Sequence, residues 1–172
     1  SSQTLTGSPG AGGGGGGLEL TVVVTPDNRA ISSVTAMASF TLCLQANSQR
    51  VYFIRPGNTT IDALDFFEAE GNTDDVVDIV TVGDQVWLLG RKSIEPWFLT
   101  ASLDPIASPF EPAKGQAVSI GVIPGTVVNH DGTVYFSGSD HNVYELAGGL
   151  RQVSNPSIAE RIRRALGTQE QG

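Results

Sequence analysis

The sequence predicts an all-β chain of short antiparallel strands that ends in one short helix. Three observations carry this expectation. Apolar runs rich in Val, Ile, Thr and aromatic residues recur from Leu18 to Leu146, each a few residues long, which is the composition and length of strands. Between them stand clusters of Gly, Pro, Asn and Asp, which reverse a chain by tolerating positive φ, by fixing φ, or by a local side-chain hydrogen bond. A helical apolar rhythm occurs once, at Ile158, Ile162 and Leu166.

The elements follow in order. Residues 1–17 form a polar, glycine-rich arm ending in six consecutive glycines, Gly12 to Gly17. Such a run has nothing to bury and high backbone entropy, so it is expected to be a flexible leash. It passes into Leu18-Glu19 and lacks the Gly-Lys-Ser/Thr that ends a phosphate-cradling loop. Strands are expected at 18–24, stopped by Pro26-Asp27-Asn28, at 34–45, bounded by Asn47-Ser48, and at 50–54, ended by Pro56-Gly57. Further strands are expected at 76–82, 85–89, 117–122, 132–136 and 142–146. The helix is expected at 156–166, where Pro156 suits a first-turn position that needs no N–H donor. The chain thus divides into an arm (1–17), a β domain (18–153), and a helix with a polar tail (154–172).

A weak internal repeat sharpens the fold class. Gln49-Arg50-Val51-Tyr52-Phe53-Ile54, Asp84-Gln85-Val86-Trp87-Leu88-Leu89 and Gly132-Thr133-Val134-Tyr135-Phe136-Ser137 share a polar residue, Val, an aromatic and then apolar or small residues. Val51, Val86 and Val134 stand 35 and 48 residues apart, a spacing near the roughly 40–50 residues of one propeller blade. The spacing admits a set of propeller-like blades, but any antiparallel sandwich shows such hairpins, and the pattern by itself favours the sandwich. At about four strands per blade, the foldable residues supply roughly three or four blades, so the propeller would be incomplete.

Composition narrows the function. With 40% apolar and 16% charged residues, the 172-residue chain has the make-up of a folded domain. A formal charge of −8 disfavours wrapping of nucleic acid by counterion release, though not passage of DNA alongside. The single cysteine, Cys43, lies in an apolar run and is expected to be buried; one cysteine excludes an intrachain disulfide or a cysteine-based zinc cluster. No stretch is long and apolar enough for a membrane span, and the first residues carry neither the basic nor the apolar region of a signal peptide.

Residues suited to catalysis are scarce. His130 and His141 both sit in turn-like settings and are not spaced as a helical metal pair. Ser137 follows a strand with no helix behind it, unlike a nucleophile elbow. The densest acidic stretch, 62–75, alternates Glu68, Glu70, Asn72 and Asp74 but lacks the terminal Glu of a helix–loop–helix calcium site, so a solvated loop is expected. Within it Phe66 and Phe67 would anchor the loop by burying aromatic area. No catalytic, metal or cofactor site is expected.

A run of motifs now falls into place. Asp62-Ala63-Leu64-Asp65-Phe66 is followed by Ala69-Glu70-Gly71, Asp74-Asp75-Val76-Val77, and Val86-Trp87-Leu88-Leu89-Gly90-Arg91-Lys92-Ser93-Ile94-Glu95-Pro96-Trp97. Ser108-Pro109-Phe110, Ser119-Ile120-Gly121, Val134-Tyr135-Phe136-Ser137-Gly138, Val143-Tyr144-Glu145 and Val153-Ser154-Asn155-Pro156-Ser157-Ile158-Ala159-Glu160 complete the series. In this order the motifs resemble the packaged-DNA stabilisation family of short-tailed bacteriophages, also called the tail hub or nozzle. The most specific is residues 90–97, where the family carries Gly-x-x-Ser-Ile-Glu-x-Trp. The resemblance runs from about residue 34 to 163.

The resemblance implies a structural virion protein of the phage tail. It would be a β-propeller subunit in a homo-oligomeric ring, usually of six, that extends the DNA channel below the portal and adaptor rings. Such a ring would help retain packaged DNA, let it pass during ejection, and offer a side surface to fibres or spikes. Two departures stand out. Pro96 interrupts the Ser-Ile-Glu-x-Trp strand and removes a ladder donor, which points to an edge or a bulge. The chain is also less than half as long as typical members, so early blades are expected to be missing, whether from a reduced nozzle or from one piece of a longer protein.

The residues of this motif have a physical reading of their own. Trp87 and Trp97 would lie on adjacent strands joined by a tight hairpin at 90–93, where two large aromatics fix the packing of a blade core. Arg91 and Lys92 at its tip would face a partner subunit, DNA or solvent, and Glu95 would pair locally. Acidic loops facing the conduit would let DNA slide by like-charge repulsion. Two rivals remain open, a receptor- or glycan-binding tail module and a propeller hydrolase; the shortage of histidine counts against the second.

Overall fold

The structure is a computed structural model and describes residues 3–5, 20–69, 74–100 and 107–167. Strand β1 (Gln3–Leu5) pairs antiparallel with β2 (Leu20–Val22). The hexaglycine run lies outside the described residues.

Three four-stranded antiparallel meanders follow. Blade 1 is β3 (Ile31–Met37), β4 (Phe40–Gln45), β5 (Arg50–Ile54) and β6 (Phe66–Glu68). Blade 2 is β7 (Val76–Val82), β8 (Gln85–Gly90), β9 (Ile94–Leu99) and β10 (Phe110–Pro112). Blade 3 is β11 (Val128–His130), β12 (Thr133–Ser137), β13 (Val143–Leu146) and β14 (Leu150–Gln152). The helix α1 (Pro156–Gly167) comes last. Asn155 caps it, its Oδ1 accepting the Ile158 N–H at 3.0 Å.

The blades stack face to face, and the core is two layers between three sheets. Leu42, Leu44, Val51, Phe53 and Phe67 of blade 1 meet Val76, Ile79, Val86, Leu88, Trp97 and Phe110 of blade 2. On the other side Val82, Trp87, Leu89 and Ile94 meet Val134, Phe136, Tyr144 and Leu146 of blade 3. Blade 2 is therefore covered on both faces, which explains why β8 is an unbroken apolar run while β3 and β12 alternate. Each buried Leu, Val or Phe contributes on the order of 1.5–3 kcal/mol. The first strands of the blades approach one another. Ser33 on β3 donates to Asp78 on β7 at 2.5 Å, and Thr35 and Thr81 share a hydrogen bond at 3.1 Å. With Asn129 of β11 they line a groove of about 320 Å³. Three meanders with their first strands together and their faces stacked form propeller blades, and no sandwich; the described sheets do not close into a ring.

The structure corrects several expectations. The run 34–45 is two strands, folded by a turn at Ala38 with φ 52°; no Gly, Asn or Pro marks that turn, and so the sequence hides it. Residues 117–122 are no strand. They form the passage from blade 2 to blade 3, making single bridges from Val118 to Ile94 and from Val122 to Gly138. Nor is Pro96 at an edge, since β9 lies between β8 and β10. Its missing donor is absorbed across the sheet. Ala113 N–H donates to the Pro96 carbonyl, while the Ala113 carbonyl turns to accept Gln116 N–H at 3.1 Å. The chain bulges outward over 114–117 and rejoins at Val118, which exchanges two hydrogen bonds with Ile94. Proline thus sets the break in the fourth strand.

Before blade 1, residues 25–29 are fastened to it by polar groups. The buried Gln45 amide donates to both Asp27 carboxylate oxygens, at 2.7 and 2.8 Å, and buried Thr25 donates to Asp27 Oδ1. The Thr25 bond, joined by those from Gln45 and the backbone, holds the Asp27 carboxyl below its ordinary value against the opposing effect of burial.

Candidate functional site

The hairpin from Gly90 to Ser93 closes as expected, Gly90 N–H donating to the Ser93 carbonyl at 2.8 Å. Both flanking chain segments clamp its tip. From the blade 1 side, Asp74 accepts the Lys92 N–H at 2.6 Å and the Ser93 hydroxyl at 3.4 Å. From the blade 3 side, Gly121 lies against the turn so closely that a Cβ there would stand 1.7 Å from the Arg91 carbonyl oxygen. Val122 N–H donates to the Gly90 carbonyl at 2.8 Å. Gly121 then accepts from Ser139 N–H at 2.8 Å and donates to Ser139 Oγ at 3.1 Å, which ties in the β12–β13 turn of blade 3. One line of contacts joins Asp74, the hairpin tip, Gly121 and Ser139. It leaves the Arg91 and Lys92 side chains exposed.

The blade 3 turn has its own lock. The buried Tyr144 hydroxyl donates to Asp140 Oδ2 at 2.6 Å, and the Asn142 amide donates to the same oxygen at 2.8 Å. Burial, reinforced by the Asp140 bond, pushes the Tyr144 hydroxyl up to about 12. At Asp140 burial acts upward, but the bonds from Tyr144 and Asn142 prevail and lower the carboxyl. His141 follows with φ 67° in the same turn, and His130 is exposed on β11.

The two tryptophans occupy neighbouring strands but not one core. Trp87 points to blade 3 and Trp97 to blade 1, because residues at Trp87↔Pro96 and Val86↔Trp97 face opposite sides of the sheet. Among the described residues neither indole N–H has an acceptor. Phe67 is buried and its ring lies 4.6 Å from Trp97 and 5.1 Å from Phe110. Phe66 is half-buried on the opposite face beneath the Arg50 guanidinium, 4.2 Å away. Glu95 is buried and lines a cleft of about 240 Å³ with Pro96, Ala113 and Lys114, under the outward bulge of the fourth strand.

Within the acidic stretch, Asp62, Asp65 and Glu68 lie on or just before the outer strand of blade 1, away from the groove of first strands, and all three are engaged. Asp65 takes two hydrogen bonds from Arg55 at 2.9 Å, and Glu68 pairs with Arg50 at 2.6 Å. Asp62 Oδ1 accepts the Leu64 N–H at 2.9 Å. Residues 70–73, with Glu70 and Asn72, lie outside the described residues. Among the described residues no three His, Cys, Asp or Glu side chains gather as a metal site, and no helix is long and apolar enough to cross a membrane. Cys43 is buried, and burial raises its thiol pKa.

Comparison with known proteins agrees with this architecture. The β-propeller domain of Cps50 (Swd1) from Myceliophteria thermophila superimposes with a TM-score of 0.54 at 11% identity, over 81% of this chain and 49% of that one. YCF48 bound to a D1 peptide gives 0.51 at 12% identity, over 84% and 45%. These likenesses show the fold, and the chain spans about half the length of the structures it matches. No curated protein matches the chain. A family model described as "Bacteriophage P22 Gp10, beta-propeller" matches residues 13–167, nearly the whole chain, and the protein belongs to this phage-stabilisation family.

Proposed function

We propose that this protein is a structural component of the tail of a short-tailed bacteriophage. It forms part of the nozzle or hub ring that extends the portal–adaptor DNA channel and helps retain the packaged genome. The family match over residues 13–167 carries this reading. Physical features support it. Each of the two blade interfaces is a continuous apolar core, and the hairpin tip of blade 2 is clamped from both neighbours, so the blades form a stiff body suited to a pressurised assembly. A net charge of −8 keeps the surface from adhering to passing DNA. The role is scaffolding without catalysis, in a homo-oligomeric ring that touches adaptor and fibre or spike proteins and needs no cofactor.

Mass spectrometry of purified tails, paired with virions assembled without this chain, tests the proposal. The chain is expected in the tail fraction, and particles lacking it are expected to lose DNA after packaging. Virions that lack it yet hold their genomes and infect normally would overturn the reading.

A further inference from the structure

Phe98, 37% exposed, is the one large apolar side chain that blade 2 leaves open among the described residues, and its cross-strand neighbours are polar. The ladder sets Gln85 of β8 opposite it on one side and Glu111 of β10 opposite it on the other, so all three stand on one face of the sheet. Facing residues on antiparallel strands have Cβ atoms about 4.5–5.5 Å apart, which brings a ring and a carboxylate within reach of one ligand group. Glu111 is exposed. The β7–β8 turn, Gly83-Asp84, leads directly into Gln85 and adds a second exposed carboxylate.

Phe98 and Asp84 also line a cleft of about 630 Å³, together with Leu99 and with Met37 of blade 1. That volume is within the roughly 300–1,000 Å³ of ligand pockets. Buried Met37 and half-buried Leu99 give it apolar walls, and among the described residues no Lys or Arg lines it. The cleft opens where the first hairpins of blades 1 and 2 turn, at Ala38 and at Gly83-Asp84. Blade 2 is covered on both faces already, so a blade beyond blade 1 or blade 3 would not reach this cleft.

The chemistry on offer suits a cation. An aromatic ring attracts positive charge through its quadrupole, and two carboxylates add to that attraction. Phosphate is disfavoured, because no base is present to meet it. Of the two basic side chains, arginine fits better. Its guanidinium is more weakly hydrated than an ammonium, stacks flat on an aromatic ring, and donates paired hydrogen bonds to a carboxylate. We propose that this cleft binds an arginine side chain of a partner polypeptide. The guanidinium lies on Phe98 between Asp84 and Glu111, and apolar residues beside that arginine rest on Met37 and Leu99. The proposal concerns this cleft alone and does not depend on the nozzle reading.

The test uses the full chain, isotope-labelled, with the capped peptide acetyl-Leu-Arg-Leu-amide as the probe and amide chemical shifts as the readout. Saturable shifts are expected at Gly83, Asp84, Gln85 and Phe98, and they should weaken as salt rises. The same peptide with citrulline, uncharged but of like shape, is expected to give none. Phe98→Leu keeps an apolar side chain without the ring and is expected to weaken binding about two- to fivefold. Asp84→Asn, at an exposed turn position, is expected to weaken it by up to about fivefold, and it decides the matter if Phe98→Leu fails to fold. Asp131→Asn, on an exposed turn of blade 3, is expected to change nothing. Equal binding of the citrulline peptide, full binding by the folded variants, or shifts spread over the whole surface would overturn the proposal. Shifts at these residues that grow with protein concentration and need no peptide would assign the cleft to a second copy, and would overturn it too. None of these outcomes bears on the nozzle reading, which stands or falls on the virions.

Discussion

Gly121 shows how much of this structure depends on single atoms. A methyl group there would overlap the backbone of the Arg91–Lys92 turn, with contacts of 1.7 Å to the Arg91 carbonyl oxygen and 2.6 Å to Lys92 N. Backbone held in a sheet hairpin cannot give way as a flexible side chain would. Gly121→Ala is therefore expected to destabilise the protein by about 2–3 kcal/mol, read as a lower denaturant midpoint at constant slope. The Asp140–Tyr144 lock makes a second prediction, in pH. The folded Asp140 carboxyl is lowered, so its contribution is present above the ordinary carboxylate range and is lost as pH falls through the folded value. The folded Tyr144 hydroxyl is raised from 10 to about 12, so its contribution is complete below pH 10 and is lost as pH rises from 10 to 12. In Tyr144→Phe the loss of stability between pH 10 and 12 should flatten relative to wild type; equal curves would show that Tyr144 does not titrate with folding. Neither Gly121 nor Asp74 stood out as a structural node from sequence. Gly121 follows Ile120 in what reads as a strand, and Asp74 reads as one more carboxylate of an acidic loop.

At the scale of elements, the legible strands were those whose burial is patterned. Strands β5 and β7 were predicted to the residue, and β8, β12 and β13 to within one, because each carries an apolar face or an apolar run between turn residues. The strands that escaped are short and lie at sheet edges: β6, β10, β11 and β14 have three residues each, and β11 is exposed throughout. With so little burial they leave no periodicity to find. The tryptophans show a different limit. Their adjacency was legible, but the face each takes follows from register, which sequence did not fix. Because Trp87 and Trp97 serve different cores, Trp87→Ala and Trp97→Ala should each cost about 3–5 kcal/mol. The double variant should cost the sum within roughly 0.5 kcal/mol. A coupling well above that, measured by a double-mutant cycle in denaturant, would show that the two interfaces do not act separately.

For the whole molecule, the proposed conduit role raises a question of chemistry: how a body placed around DNA would avoid binding it. Counterion release rewards each phosphate met by a Lys or Arg, and a chain with 18 acidic against 10 basic residues has few to offer on balance. The carboxylates most prominent in sequence are partly neutralised in the fold, since Asp65 and Glu68 each pair with an arginine. Repulsion must then come from exposed groups such as Asp62, Asp84 and Asp131, spread over all three blades. Replacing these three by lysine moves the formal charge from −8 to −2, a gain of two per site. The wild type is expected to show no retention of duplex DNA in a filter-binding assay even at low salt. The triple variant should gain weak retention that disappears as salt rises, and particles carrying it should release DNA more slowly. Tight, steeply salt-dependent binding by the wild type would mean that its arginines, foremost those of α1, grip the phosphate backbone, and that the conduit holds DNA by attraction instead of letting it slide.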